Sequence, residues 1–348
     1  MASMGKIVHI SDIHIHDREA NLSAVAEGFA SLVGRPSEDG RGGILEKGVG
    51  ILSAIKRMGY AIKEDRPELR RILIDDILRE EPDHIVVSGD LTNTSLESEC
   101  EEARRCFERF IPERRLSIVP GNHDYPVFTR GTAQLNDVLH DAFPHGKIAF
   151  PWVKLLGREL ALIGLNSCLE MFDLVTHPEV VVHTARGKLH RNQLQDLERI
   201  LSHPRLDGRS VIVVLHHHVL QAPKHGGKGR IGKAHDYFMD RAVNSDYLLG
   251  LLARKGVRMV LHGHRHVRKI AAHGPILVVG AGSAIHPEPP YEPAPSYHVY
   301  TFDGEGVPRI TVKVLDGDRY RAVHDDRFMP DGRQMKLWQA ARRERLPR

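Results

Sequence analysis

Cysteine is scarce in this chain: Cys100, Cys106 and Cys168 are the only three in 348 residues. The number is odd and no spacing pairs them. That excludes a disulfide framework and points to a reducing compartment, the cytoplasm, or to indifferent thiols. No apolar run reaches the length a membrane-spanning helix needs. The first strand begins near Lys6, so no signal peptide is expected ahead of it. No period of the kind that builds solenoids is visible. The excess of positive charge is small, +4, too little to demand a nucleic-acid partner. With 41% hydrophobic and 27% charged residues, the composition is that of a soluble globular protein.

Histidine, by contrast, is abundant, with 23 copies. Many of them follow short apolar stretches. "RMVLHGHRH", residues 258–266, is the plainest case: Val260 and Leu261 read as buried strand, and His264 and His266 follow two apart. In extended backbone such a pair shares one face. Taken alone, H-x-H is more often an incidental pair than a metal pair. "KIVHIS", residues 6–11, is another strand, and it runs into Asp12 and His14, again two apart; alone this is a capping Asp and a surface His. "HIVVSGDLTNTS" gives a strand over 84–88 with Asp90 beyond its end. "RLSIVPGNHDYP" ends in Asn122 and His123, and "SVIVVLHHH" is a strand over 210–215 ending in His216, His217 and His218.

Helical patterns separate these strands: 19–34, "RPELRRILIDDILREEP" with Pro67 in its first turn, about 95–110, "HRNQLQDLERILSH", and "AVNSDYLLGLLARKG" with Asn244 or Ser245 as its cap. A further strand covers 159–167. "GPILVVGAGS", "SYHVYTFD" and "RITVKVLDG" read as antiparallel strands, the second at a sheet edge or in a two-sided sandwich. The alternation of strands and helices predicts α/β architecture with mixed sheets. In such sheets ligands bind at the carboxyl ends of the strands, where the Asp, Asn and His residues collect. Those side chains are oxygen and nitrogen donors, with no thiolate among them. They suit manganese, iron, zinc or magnesium, and they are too many for one ion.

Five blocks, "SDIH", "SGDLTN", "PGNHD", "VLHHH" and "HGHRH", stand in the order found in the calcineurin-like metallophosphoesterases, and the chain resembles that family. The resemblance implies a four-layer αββα sandwich over residues 5–316, followed by a basic tail over 317–348. It implies two divalent metal ions, manganese or iron, with zinc and magnesium as alternatives. Asp12, His14 and His266 would hold one, Asn122, His216 and His264 the other, and Asp90 would bridge them. Such a centre activates water for in-line attack on phosphorus. His123 would face the leaving group, oriented by Asn93 where the family often has a carboxylate. His217 is the second choice for the ligand at His216. Arg265 suits a structural ion pair as well as a phosphate contact.

Within the family the chain looks most similar to the cyclic-nucleotide phosphodiesterase branch. It departs from that branch in a longer stretch between Asp12 and Asp90, an insertion at about 35–66, and in the Lys- and Gly-rich loop at about 219–243. That loop reads equally as a solvated segment or as a contact for an anionic substrate. Apolar residues over 43–63 recur at helical spacing, and read either as a core-packing hairpin or as a lid touching a membrane surface. The expected activity is therefore phosphodiester hydrolysis of a nucleotide or related anionic diester. The alternatives are hydrolysis of a lipid-linked pyrophosphate or phospholipid, and a nuclease acting on nucleic acid. A scaffold without activity would have lost ligand positions, and here all are filled.

Overall fold

The computed structural model describes residues 5–20, 23, 65–125, 139–142, 149–168, 187–221, 241–289, 292–302 and 308–323. The expected helix at 19–34 for the most part, the apolar segment at 43–63, most of the loop at 219–243 and the end of the basic tail lie outside these residues.

Two six-stranded mixed sheets carry the fold. The first contains β1 (Lys6–Ile10), β2 (His84–Val87), β3 (Leu116–Ile118) and three late strands, β10 (Ser296–Phe302), β11 (Pro308–Asp316) and β12 (Arg319–Val323). Its order is β12-β11-β10-β1-β2-β3. β1 and β2 run parallel, while β1 and β10 run antiparallel with Val8 opposite Val299. The second sheet contains β4 (Trp152–Leu156), β5 (Leu160–Gly164), β6 (Ser210–Val214), β7 (Met259–His262), β8 (Lys269–His273) and β9 (Ile276–Gly280). Its order is β4-β5-β6-β7-β9-β8, with β5, β6, β7 and β9 parallel to one another.

The strands of the second sheet are near-continuously apolar because both faces are covered. Leu160, Leu162, Ile212, Val214, Met259, Leu261, Leu277 and Val279 join one hydrophobic cluster together with the residues of the first sheet. Their alternate neighbours Ala161, Ile163, Val211, Val213, Val260, Ile276 and Val278 join a second cluster. There they meet Leu194 and Leu197 of α3 (Arg191–Leu201) and Leu248, Leu249, Leu251 and Leu252 of α4 (Ser245–Arg254). On the other side, α1 (Pro67–Glu80) and α2 (Glu97–Phe107) pack Leu73, Ile77, Ala103 and Phe107 into the first cluster. The result is helices, sheet, sheet, helices: the four-layer sandwich expected. Each large aliphatic side chain so buried contributes roughly 1.5–3 kcal/mol. Pro67 opens α1 as expected. α1 is also tied down by Asp76, which accepts from the Tyr297 hydroxyl on β10 and pairs with Lys313 on β11 at 3.3 Å.

Several sequence expectations need correction. β4, β8 and β12 carry little alternation and were not expected, and β12 lies inside the stretch read as tail. β9 pairs antiparallel only with β8; against β7 it is parallel. β10 is no edge strand, since β1 and β11 flank it. Asn244 precedes α4 but does not cap it with its side chain. Its amide instead accepts from the backbone N–H of Leu189 and donates to the carbonyl of the same residue. Among the described residues no helix is long and apolar enough to cross a membrane.

Candidate metal centre

The strands named in the sequence end on one side of the sandwich, and their polar ends converge. Asp12 follows β1, Asp90 follows β2, Asn122 and His123 follow β3, His216 follows β6, and His264 and His266 follow β7. The chain does not stay extended there. Asp12, His14, Asp90, His264 and His266 all have positive φ, between 48° and 83°. A non-glycine residue in that region costs on the order of 1–2 kcal/mol. The period-two argument for His264 and His266 therefore fails, because both are left-handed and their rings part company. His266 meets Asp12 and His14, whereas His264 meets Asp90 and His216.

The first of these groups brings His14 Nε2 within 2.9 Å of His266 Nε2, and His266 Nε2 within 3.5 Å of Asp12 Oδ1. In the second, His216 Nε2 lies 3.3 Å from Asp90 Oδ2 and 3.2 Å from both His264 Nδ1 and Asn122 Oδ1. Asp90 Oδ2 is also 3.7 Å from His14 Nε2, so one carboxylate oxygen stands between the two groups. The other, Oδ1, accepts the backbone N–H of His123 at 2.8 Å.

These separations suit cations. Ligand atoms bonded at about 2.1 Å and at right angles lie about 3 Å apart, close to the distances found. The tautomer fits as well. His216 Nδ1 donates to the Ser88 carbonyl at 2.8 Å, which leaves Nε2 turned into the group. Burial, together with His217 and His216, pushes His264 well below its ordinary value, so its ring is neutral and offers a lone pair. Burial opposes ionisation of Asp90, but His216, His123 and His14 outweigh it and hold the carboxyl well below the usual range. Burial works against protonation of His216 too, yet the Asp90 carboxylate raises it to about 9. A cation taken up here must displace that proton, so affinity falls as pH falls.

Two glycines make the approach possible. A Cβ on Gly263 would lie 1.8 Å from Ser11 Oγ and 2.5 Å from Asp12 Oδ2, and one on Gly121 would lie 2.0 Å from Asp90 Oδ1. Of the histidine triplet, His216 is the residue in the group. His217 Nδ1 instead meets Ser167 Oγ at 2.9 Å, with its ring 4.6 Å from that of His264. His218 packs its ring 4.3 Å from His262 and 6.3 Å from His264. Arg265 is buried.

His123 lies beside the first group, its ring 4.6 Å from that of His14. The role read for Asn93 needs correction. Its side-chain amide turns to His16 Nδ1 at 3.1 Å, and its backbone carbonyl is what meets His123 Nδ1 at 2.8 Å. A carbonyl only accepts, so Nδ1 carries the hydrogen and Nε2 is directed elsewhere.

Sequence reasoning gave no role to three residues. Asp124 is buried; it accepts from Gly121 N, Thr92 N and Thr92 Oγ1 and so locks the Asn122–His123 turn to the Asp90 turn. Burial, and next to it the Asp90 charge, push Asp124 up to about 6. Ser283 donates to the carbonyl of Asp12 at 2.6 Å. His286 places its ring 6.0 Å from that of His14. "PGNHD" and "GAGS" held the first two in view, but neither pattern says what an anchoring side chain grips.

A family model for the calcineurin-like phosphoesterases matches residues 5–268. The chain belongs to this family. Its members are metal-dependent hydrolases of phosphoesters, and the two groups on either side of Asp90 agree with a dinuclear centre. Among solved structures, purple acid phosphatase PPD1 from yellow lupin seeds is similar in fold, with 12% identity and a TM-score of 0.53, over 95% of this chain and 55% of that one. GAP50, the anchor in the inner membrane complex of Plasmodium, aligns over 99% of this chain and 95% of its own, at 11% identity and a TM-score of 0.47. A 5'-nucleotidase structure from Staphylococcus aureus aligns over 97% of this chain and 57% of its own, at 12% identity and a TM-score of 0.44. The likeness to the lupin phosphatase concerns the fold alone. No curated protein matches the sequence.

Proposed function

We propose that this phosphoesterase hydrolyses phosphodiesters, a nucleotide or related anionic diester, with two divalent cations of which manganese or iron is the natural choice. The observation that carries the reading is Asp90 Oδ2 standing between two nitrogen-rich groups, 3.7 Å from His14 and 3.3 Å from His216. Asp12, His14 and His266 would hold one cation, Asn122, His216 and His264 the other, and Asp90 both. Cations held there supply Lewis acidity to phosphate oxygens and make water acidic enough to ionise near neutral pH.

The chain supplies the rest. His123 is tethered at Nδ1 by the Asn93 carbonyl, which directs Nε2 toward the leaving oxygen, and in its protonated form the ring delivers a proton there. The side chains flanking the two groups, His123, His217 and His286, are imidazoles. Imidazole N–H donors suit a singly charged diester, whereas a dianionic monoester is better held by lysine or arginine. The similarity of the motif blocks to the cyclic-nucleotide phosphodiesterase branch supports the same choice. With manganese present, bis-p-nitrophenyl phosphate should turn over with a higher kcat/KM than p-nitrophenyl phosphate. Turnover of the monoester alone would overturn the proposal.

A further inference from the structure

The Pro-rich stretch after the "GAGS" block does more than connect β9 to β10. Within it Glu288 and Glu292 pair in an isolated antiparallel bridge: Glu288 N donates to the Glu292 carbonyl at 2.6 Å, and Glu292 N donates to the Glu288 carbonyl at 2.8 Å. Glu292 is 1% exposed, and its carboxylate accepts from Arg268 twice, from the backbone N at 2.9 Å and from Nε at 2.8 Å. Arg268 is itself buried and lies two residues after His266. A buried ion pair of this kind costs desolvation on both partners, and what it offers in return is a fixed position. Here it fixes Glu292, and through the bridge Glu288, against the turn that carries His266.

The bridge's other acid reaches that histidine. Glu288 Oε2 lies 3.4 Å from His266 Nδ1, while His266 Nε2 faces His14 Nε2 at 2.9 Å. We infer that Glu288 is a positioning residue for His266: its carboxylate holds the hydrogen on Nδ1, turns the Nε2 lone pair toward the first cation, and strengthens that nitrogen as a donor. The opposite half of the centre is built differently, since His216 leans on the neutral Ser88 carbonyl. The two cation positions are therefore unequal, with extra negative charge behind the first.

This inference rests on the paired-cation reading above, and one experiment separates the two. Metal-stripped full-length protein is titrated with Mn2+ by calorimetry, as wild type, Glu288→Ala and Glu288→Gln. Wild type should take up two equivalents. Glu288→Ala should weaken one of the two steps by about 10–100-fold and leave the other unchanged. Glu288→Gln, which keeps an acceptor but loses the charge, should fall between. The melting temperature of the metal-free protein should not move, because a half-exposed carboxylate does not hold the fold together. Two unaltered steps in Glu288→Ala would overturn the role of Glu288 alone. Failure of the wild type to bind two equivalents would overturn the paired-cation reading and this inference with it.

Discussion

Replacing Gly121 by alanine tests the geometry of the centre with a single methyl group. The new Cβ would lie 2.0 Å from Asp90 Oδ1 and 2.3 Å from Asp90 N. Ordinary contact begins near 3.4 Å, so the Asp90 turn or the Asn122 turn must yield by about 1.4 Å. Because backbone is among the atoms struck, a change of rotamer at Asp90 does not relieve the clash. Metal sites tolerate displacements of only about 0.2 Å. Asp90 stands between the two groups, and its Oδ1 also receives the His123 N–H at 2.8 Å, so the shift should disturb both candidate cation positions and the His123 turn together. We expect metal content to fall from two equivalents to less than one and kcat/KM to fall by at least about 100-fold. Overpacking should cost about 1–3 kcal/mol of stability, leaving a folded protein to assay. Elemental analysis alongside diester hydrolysis, with circular dichroism as a control for folding, reads all three. A Gly121→Ala protein that keeps both metals and wild-type turnover would refute the close approach on which the site is argued.

The other expectations concern His123 and the buried histidines. His123→Ala should retain both metal equivalents while kcat drops by about 10²–10⁴-fold, and metal loss would move His123 into the ligand set. Asn93→Ala should slow the reaction far less, because the backbone carbonyl makes the bond to His123. His84, at the start of β2 and bonded to Ser117 Oγ at 2.8 Å, is pushed down to about 3 by burial and by the charges of Lys154 and Arg115. The unfolded chain protonates this ring near pH 6.5, the folded chain does not, so its contribution to stability is present above that pH and is lost as pH falls toward 3. Between pH 7.5 and 5.0 the loss is about 2 kcal/mol, and His84→Gln should remove that share from the pH dependence of urea unfolding in EDTA; parallel curves for the two proteins would refute it.

How much of this was legible follows from which signal each part carries. β6 and β7 announce themselves because both faces are buried and apolar residues run unbroken. The ligand candidates were visible because each sits just past such a run, where few residues other than functional ones are polar and buried. β8 and β12 were invisible. KIAAH and RYRAV have one buried residue each, and their pairing with β9 and β11 is a tertiary fact. The turn conformations were misread because periodicity describes extended backbone, and Asp12, His264 and His266 have left it. The exchange of roles within Asn93, carbonyl for amide, is beyond any pattern of residue types. So is the grip of Asp124, which follows from its burial between two turns far apart in the sequence.

The left-handed residues at the strand ends bear on how this protein responds to selection for heat resistance. At Asp12, His14, Asp90, His264 and His266 the backbone favours glycine or asparagine, so a library screened only for survival at high temperature is drawn to those substitutions. Each would relax the polypeptide while removing a candidate donor atom. Hardier descendants obtained without a parallel screen for turnover should therefore accumulate inert clones at these five codons first.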